Sequence, residues 1–357
     1  MIGSYPVDSG QMRGGVQAAF TCLARGLARI DDLELHVLTL RRPGWTGPDQ
    51  IEQDGLTIHL LPPFPRFERL RGYRTYQAVL DDPEVHAVYI PLPNQLHHPW
   101  ALRALGAGKH VLCEKPLACT AREAEEMAAA AWAAGLLLME ALMYRFHPRS
   151  RRIREMVTEG AIGTPRLVRS TFCYPMAEEV LRKGENFRLR PETGGGALLD
   201  VGCYSVSVSR WLLGGEPTQV QAQAVYHGTG VDLHLVGTLR FRGEGLAVVE
   251  ASFISALQQT YTVVGSEAAI ELPHNAFIPW EKAATFTMRG KSEEAGREQV
   301  IPGVDEYRLM VEHFADAVSG KDALVVSPEE SVRTMRVLDA LAEAARTGRT
   351  VPVGNKS

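Results

Sequence analysis

Residues Ala87 to Pro116 read AVYIPLPNQLHHPWALRALGAGKHVLCEKP, and this stretch decides the fold. Ala87 to Leu92 is an apolar strand broken by prolines, Trp100 to Ala107 carries helical spacing and stops at Gly108, and His110 to Cys113 is a second short apolar strand. Strand, helix and strand in such close succession form a βαβ unit, whose crossover makes the two strands parallel neighbours.

The alternation continues on both sides. Ahead of it lie a helical pattern over Val16 to Ile30, strands over Leu35 to Leu40 and Leu56 to Leu61, and a helix over Tyr73 to Leu80. Behind it, Thr120 caps a helix that runs to Ala134, and Leu136 to Leu142 is a strand. Residues 1–147 are therefore expected to form an α/β, Rossmann-like parallel sheet. Its first strand is curtailed, because Met1 and Ile2 are the only clearly apolar residues before the loop holding Gly10, Gly14 and Gly15. After Pro148 the period changes to two. A helix, Arg149 to Glu159, precedes strands over 166–174, 219–226, 233–241, 247–254, 261–264 and 269–272, and helices over 305–318 and 328–346 close the chain. Residues 148–357 are thus expected to be an α+β domain with a large, mostly antiparallel open sheet. Its strands carry more apolar residues than one covered face needs, among them Val220, Val225, Leu235 and Val249, which predicts a contact between subunits.

The 357 residues are 45% apolar and 22% charged, enough material for two buried cores and incompatible with a largely disordered chain. A formal charge of -4 offers no basic field for nucleic acid or an anionic membrane. The longest apolar run, Met127 to Met139, is interrupted by Gly135 and falls short of the ~20 residues of a spanning helix. No basic N-terminal stretch leads into an apolar one, so no secretory signal is read and a cytoplasmic location is expected. The five cysteines are scattered without a CxxC pair, which points to reduced thiols and no metal site.

From about residue 82 onward the chain resembles the Gfo/Idh/MocA oxidoreductases, a family that includes glucose–fructose oxidoreductase, xylose dehydrogenase and dihydrodiol dehydrogenase. The match rests on Tyr89-Ile-Pro-Leu-Pro-Asn-Gln-Leu-His97, Gly108-Lys-His-Val-Leu-Cys-Glu-Lys-Pro116, Glu140-Ala-Leu-Met-Tyr-Arg-Phe-His-Pro148, Gly194-Gly-Gly-Ala-Leu-Leu-Asp-Val-Gly-Cys-Tyr204 and Tyr307-Arg-Leu-Met-Val-Glu-His-Phe314. The resemblance implies hydride transfer between NAD or NADP and a sugar, polyol or related hydroxy compound, in a homodimer or tetramer paired through the large sheet. The first 75 or so residues depart from the family, because no GxGxxG turn is present. They resemble instead the start of a family-4 GT-B glycosyltransferase, through Gly3 to Gln17, His36 to Gly44 and Asp54 to Glu68, with a join between Tyr73 and Asp82.

The resemblance also assigns roles. Lys115 fills the family's catalytic position, just past a buried strand where doubly wound sheets receive ligands; from position alone a solvated loop lysine is the favoured reading, which the resemblance reverses. Asp200 and Tyr204, four apart and so on one face of a helix, would stand beside it and contact the reacting sugar, with Tyr204 able to donate the proton as Lys115 lowers its pKa. The glycines at 194–196 would let the backbone pass close to a ligand. Leu92, Asn94, His97, Glu114, Lys115 and Arg145 would meet the cofactor. Arg188 is a substrate contact or a surface salt bridge, and Cys113 and Cys203 are packing residues. Arg41 and Arg42 follow a strand where arginine meets a 2′-phosphate, which leans the cofactor toward NADP. The leading reading is an NAD(P)-dependent oxidoreductase. A chimeric or degraded chain with impaired cofactor binding follows, and a glycosyltransferase fragment ranks third because no donor-binding half comes after the head.

Overall fold

A computed structural model describes residues 75–354 and, ahead of them, three strands. These are β1 (His36–Leu40), β2 (Gln50–Gln53) and β3 (Leu56–Leu61); β1 runs parallel to β3, and β2 pairs antiparallel with it. The glycine loop, the Val16 to Ile30 helix, the curtailed first strand, Arg41, Arg42 and most of the glycosyltransferase-like head lie outside the described residues. The expected join between Tyr73 and Asp82 straddles their edge.

The deciding stretch folds as read. Helix α1 (Tyr76–Asp81) is followed by β4 (Ala87–Ile90), α2 (His97–Gly106), β5 (His110–Cys113), α3 (Ala121–Ala134) and β6 (Leu138–Glu140). The three strands form a parallel sheet in the order β4-β5-β6. The strands are shorter than their apolar runs because Pro91 and the turn after Glu140 end the pairing early. Thr120 caps α3 by accepting the Glu123 N–H, and Gly135 ends it in the left-handed conformation that favours glycine.

The second part opens with α4 (Pro148–Thr158), β7 (Pro165–Cys173) and α5 (Glu178–Lys183). A π-helical turn, Leu198–Gly202, leads into α6 (Cys203–Leu213). Then come β8 (Pro217–Tyr226), β9 (Asp232–Phe241), β10 (Leu246–Ser252), β11 (Gln258–Gly265), β12 (Ala268–Leu272), β13 (Ala284–Gly290) and β14 (Arg297–Ile301). The chain closes with α7 (Glu306–Val318), α8 (Pro328–Thr347) and β15 (Val351–Pro352). One nine-stranded sheet, β14-β13-β12-β11-β7-β10-β9-β8-β15, holds all of these strands, and only its central β7–β10 pair is parallel. The last two long strands, β13 and β14, escape the sequence reading because their apolar residues are sparse and one face is largely wet.

One expectation needs correcting. Of the four residues offered as the exposed subunit face, Val220, Leu235 and Val249 are each 1% exposed and belong to the inner face, and only Val225, at 54%, points outward. The reason is parity: side chains alternate faces along a strand, so Val225 stands opposite to Val220. The outer face instead presents Val225, Val236 and Leu246.

Candidate active site

Two edges meet at the site. The carboxyl ends of β4 and β5 bring the turns that hold Leu92 and Lys115, and the π-helical turn before α6 brings Asp200. Lys115 Nζ donates to the main-chain oxygen of Asp200 at 2.6 Å and to its Oδ1 at 3.1 Å. Oδ2 of the same carboxylate accepts from Arg188 Nε and from the Tyr174 hydroxyl, both at 2.8 Å. Asp200 is thus held by three donors, and the lysine and arginine share one counter-charge. Burial works to lift the Asp200 pKa, but Arg188 and Lys115 together hold it well below the usual carboxylate range. Burial likewise works to lower Lys115, yet Asp200, with Cys203 and Glu114 behind it, carries it above an ordinary lysine. The amine is therefore an ammonium at neutral pH.

Tyr204 lies beneath this pair, with Lys115 Nζ 5.3 Å from its ring centroid. Its ring packs among Phe172, Phe277 and Tyr144, and its hydroxyl turns inward to Met143 Sδ at 3.5 Å. Burial pushes its pKa well up, the reverse of the lowering expected from Lys115. Asp200 and Tyr204 both stand beside Lys115, Asp200 in the π turn and Tyr204 in the helix that follows, but the tyrosine hydroxyl faces the core. The hydroxyl beside the lysine–aspartate pair belongs instead to Tyr174, which the sequence reading passed over as the last residue of a strand.

The supporting contacts are mostly between parts of the chain itself. His97 is fully buried, with Nδ1 2.9 Å from the Pro116 oxygen and Nε2 2.7 Å from the Leu92 oxygen, so it bolts the β4 turn to the Lys115–Pro116 turn rather than facing a ligand. Burial keeps its pKa low. Asn94 Nδ2 donates to the Gly194 oxygen at 2.8 Å and ties the two parts of the molecule together. Arg145 is 4% exposed, paired with Glu330 at 2.5 Å and stacked 4.0 Å over Trp211. Its guanidinium is taken up by α8 and α6, away from the cofactor-side role the resemblance gave it. Arg188 is 9% exposed and no surface salt bridge. The glycines at 194–196 do permit a close approach, but to protein: a Cβ on Gly194 would stand 2.4 Å from Cys119 Sγ, and one on Gly195 2.5 Å from the Arg188 oxygen. Cys113 and Cys203 are wholly buried packing residues.

Residues 62–142 match the oxidoreductase family with an NAD-binding Rossmann fold, and residues 150–271 match the GFO/IDH/MocA C-terminal domain. The first match begins ahead of the expected join and moves the start of the likeness back to residue 62. A D-xylose 1-dehydrogenase (NADP(+)) of Haloferax volcanii is 37% identical over 281 residues, 78% of this chain and 84% of that one. Among solved structures, an aldose-aldose oxidoreductase from Caulobacter crescentus, complexed with glycerol, is similar with a TM-score of 0.71 at 29% identity, covering 78% of this chain and 83% of that one. A 3-ketoreductase from Actinomadura kijaniata, in complex with NADP and TDP-benzene, has a TM-score of 0.74 at 27% identity over 96% of this chain and 97% of that one.

The donor set suits the nicotinamide end of such a dinucleotide. Glu114 lies at the carboxyl edge of β5, where its Oε1 accepts from the Tyr89 hydroxyl at 2.6 Å and, among the described residues, its Oε2 takes a long contact, 3.3 Å, from the Lys115 N–H. Oε2 keeps acceptor capacity for ribose hydroxyls. Burial raises the Glu114 pKa, opposed by the neighbouring ammonium. The glycine loop that would face the pyrophosphate lies outside the described residues.

Proposed function

The chain belongs to the GFO/IDH/MocA oxidoreductase family, and on that premise we propose that it moves a hydride between NAD or NADP, with a lean to NADP, and a carbinol carbon of a sugar, polyol or related hydroxy compound. The observation that carries this reading is the Lys115 ammonium at the carboxyl edge of a parallel sheet, gripped by Asp200. A nicotinamide ring bound there supplies or accepts the hydride. In reduction, Lys115 gives its proton to the carbonyl oxygen; in oxidation, the amine must first lose its proton and then takes one from the hydroxyl. Asp200 orients the amine and stabilises its charge. Glu114 and the turn holding Leu92 and Asn94 serve the cofactor side, and His97 holds that turn in position. Tyr204 forms the floor of the site, Arg188 acts through Asp200, and Arg145 is assigned to structure.

Residues 1–147 are read as the nucleotide-binding domain, the first 75 resembling a glycosyltransferase head, and residues 148–357 as the substrate and oligomerisation domain. The outer sheet face with Val225, Val236 and Leu246 supports a homodimer or tetramer. The test of function is a panel of aldoses, polyols and dihydrodiols, with the corresponding carbonyl compounds, incubated with NADP or NAD in either redox state. A change in reduced-nicotinamide absorbance that is lost in Lys115→Ala supports the reading, and no change with any pair counts against it.

The missing GxGxxG favours a second reading, a chain with this site intact but its cofactor affinity impaired. The two readings part on the dissociation constant of the dinucleotide.

A further inference from the structure

We propose that Tyr174 is a positioning residue of the hydride-transfer site: with Arg188 it pins Oδ2 of Asp200, so that Oδ1 stays turned toward Lys115. The proposal rests on the functional reading above and adds a group to it. Tyr174 is placed by the sheet. Beyond the end of β7 its N–H donates to the Ser252 oxygen at 2.9 Å, and the Met176 N–H donates to the Phe253 oxygen at 2.7 Å, so the chain keeps following β10. The Tyr174 ring packs on Phe253 at 5.2 Å between centroids, and Phe253 is wholly buried. The hydroxyl therefore reaches Asp200 from a fixed base, 2.8 Å away, while Arg188 comes from a separate segment at the same distance. A carboxylate rotates about one bond, and two donors on one oxygen from different directions fix that rotation. Burial, and then the Asp200 charge, push the Tyr174 pKa up, so the phenol keeps its proton and stays a donor.

Tyr204 is no substitute, since its hydroxyl is turned to Met143. The other groups whose charge bears on Lys115 are Glu114 and Cys203, with His97 also close by. The hydrogen bonds to Oδ2 of Asp200 come from Tyr174 and Arg188.

Tyr174→Phe keeps the ring against Phe253 and removes the hydroxyl alone. Two measurements test the role. The first is a double-mutant cycle with Asp200→Asn, in whichever redox direction the chain turns over. Tyr174→Phe should lower kcat about tenfold with the dinucleotide dissociation constant unchanged, and should cost less than about twofold in the Asp200→Asn background, because a group that acts through Asp200 has nothing left to hold. A near-normal kcat, or losses that multiply in the double variant, overturns the proposal. The second measurement needs no turnover: competitive acetylation of Lys115 across pH, in the full chain without cofactor. With Arg188 the one donor left on Oδ2, the carboxylate is free to turn and Oδ1 no longer stays against the amine, so the Lys115 titration midpoint should fall by about one pH unit. An unchanged or higher midpoint overturns the proposal. If no variant transfers hydride but the midpoint falls, the functional reading fails and the positioning role stands.

Discussion

Lys115 holds Asp200 twice, through the main-chain oxygen at 2.6 Å and through Oδ1 at 3.1 Å. The amine thereby reports on both the fold of the π turn and the charge of the carboxylate. Between the ordinary pKa values of 3.8 for Asp and 10.5 for Lys, both partners are ionised, and the folded-state shifts widen that window on each side. A lysine raised above its ordinary value favours the ammonium, so reduction should run at full rate through neutral pH and fall only at alkaline pH. Oxidation needs the free amine, so its kcat/KM should climb with pH past neutrality. Lys115→Ala should lower both by about 10²–10⁴-fold without unfolding the chain. Steady-state rates across pH, with circular dichroism of the variant, check this; near-normal rates in Lys115→Ala would remove the residue from the chemistry.

A second pH effect belongs to stability. Glu140, at the end of β6, is 1% exposed, and its Oε1 accepts the Leu117 N–H at 3.0 Å, which holds the turn after Lys115. Burial pushes its pKa up to about 7 from 4.5. Between those values the folded chain keeps a proton that the unfolded chain has released, so this group makes stability fall as pH rises through that window, by an amount on the order of 3 kcal/mol. Above pH 7 its contribution is flat. Urea denaturation from pH 4 to 8 should show this slope, and Glu140→Gln should flatten it. Parallel slopes in the two proteins would assign the titration elsewhere, for instance to Glu306, whose pKa burial also raises.

Gly195 supplies a steric test of the same site. A Cβ there would lie 2.5 Å from the Arg188 oxygen and 2.8 Å from the Arg190 oxygen. Both obstacles are backbone, so the segment that carries Arg188 must move. Gly195→Ala should cost about 1–3 kcal/mol and lower kcat by displacing Arg188 from Asp200. Thermal unfolding and turnover measured together check both halves, and a stable, fully active variant would show that the segment has slack.

The parallel strands and Glu-Lys-Pro turn were legible because apolar runs, a glycine stop and a proline all fall within one short stretch. The sequence alone could not say which atoms face the ligand. His97 and Asn94 sit in the expected turn, yet their side chains bond to the Pro116, Leu92 and Gly194 oxygens, contacts across 5 to 100 residues. Tyr174 was invisible because a tyrosine ending an alternating strand looks like any other. Its partner Asp200 is 26 residues away. For Arg145 the motif gives a position and not a direction, and the guanidinium faces Glu330 and Trp211.

Arg145 and Glu330 permit a clean separation of structure from chemistry. The arginine side chain is 4% exposed and the glutamate 21%, and the guanidinium lies over Trp211. Removing the glutamate leaves a buried cation without its counter-charge, so Glu330→Ala should destabilise the chain by about 3 kcal/mol. Arg145→Met, which keeps the stem against Trp211, should cost less and leave the dinucleotide dissociation constant within about twofold. A tenfold loss of cofactor affinity in Arg145→Met would restore the cofactor-side role.

Cofactor affinity itself decides between the two functional readings. On the proposed reading Glu114 and Lys115 serve the nicotinamide half, whereas the sequence lacks the glycine turn that lets a backbone approach the pyrophosphate. Charge-assisted hydrogen bonds contribute ~1.5–3 kcal/mol each, so losing several weakens binding by orders of magnitude while leaving the chemistry of the bound complex alone. The expected outcome is a dissociation constant for NAD and NADP well above micromolar, with hydride transfer detectable at saturating cofactor. Replacing the residues before Asp82 with a βαβ head bearing GxGxxG should restore tight binding. Calorimetric titration of both proteins with both dinucleotides measures this directly. Micromolar binding by the unaltered chain would mean that its own first 75 residues cradle the pyrophosphate, with Gly14 and Gly15, which the sequence pattern puts before an expected helix, the first residues to substitute.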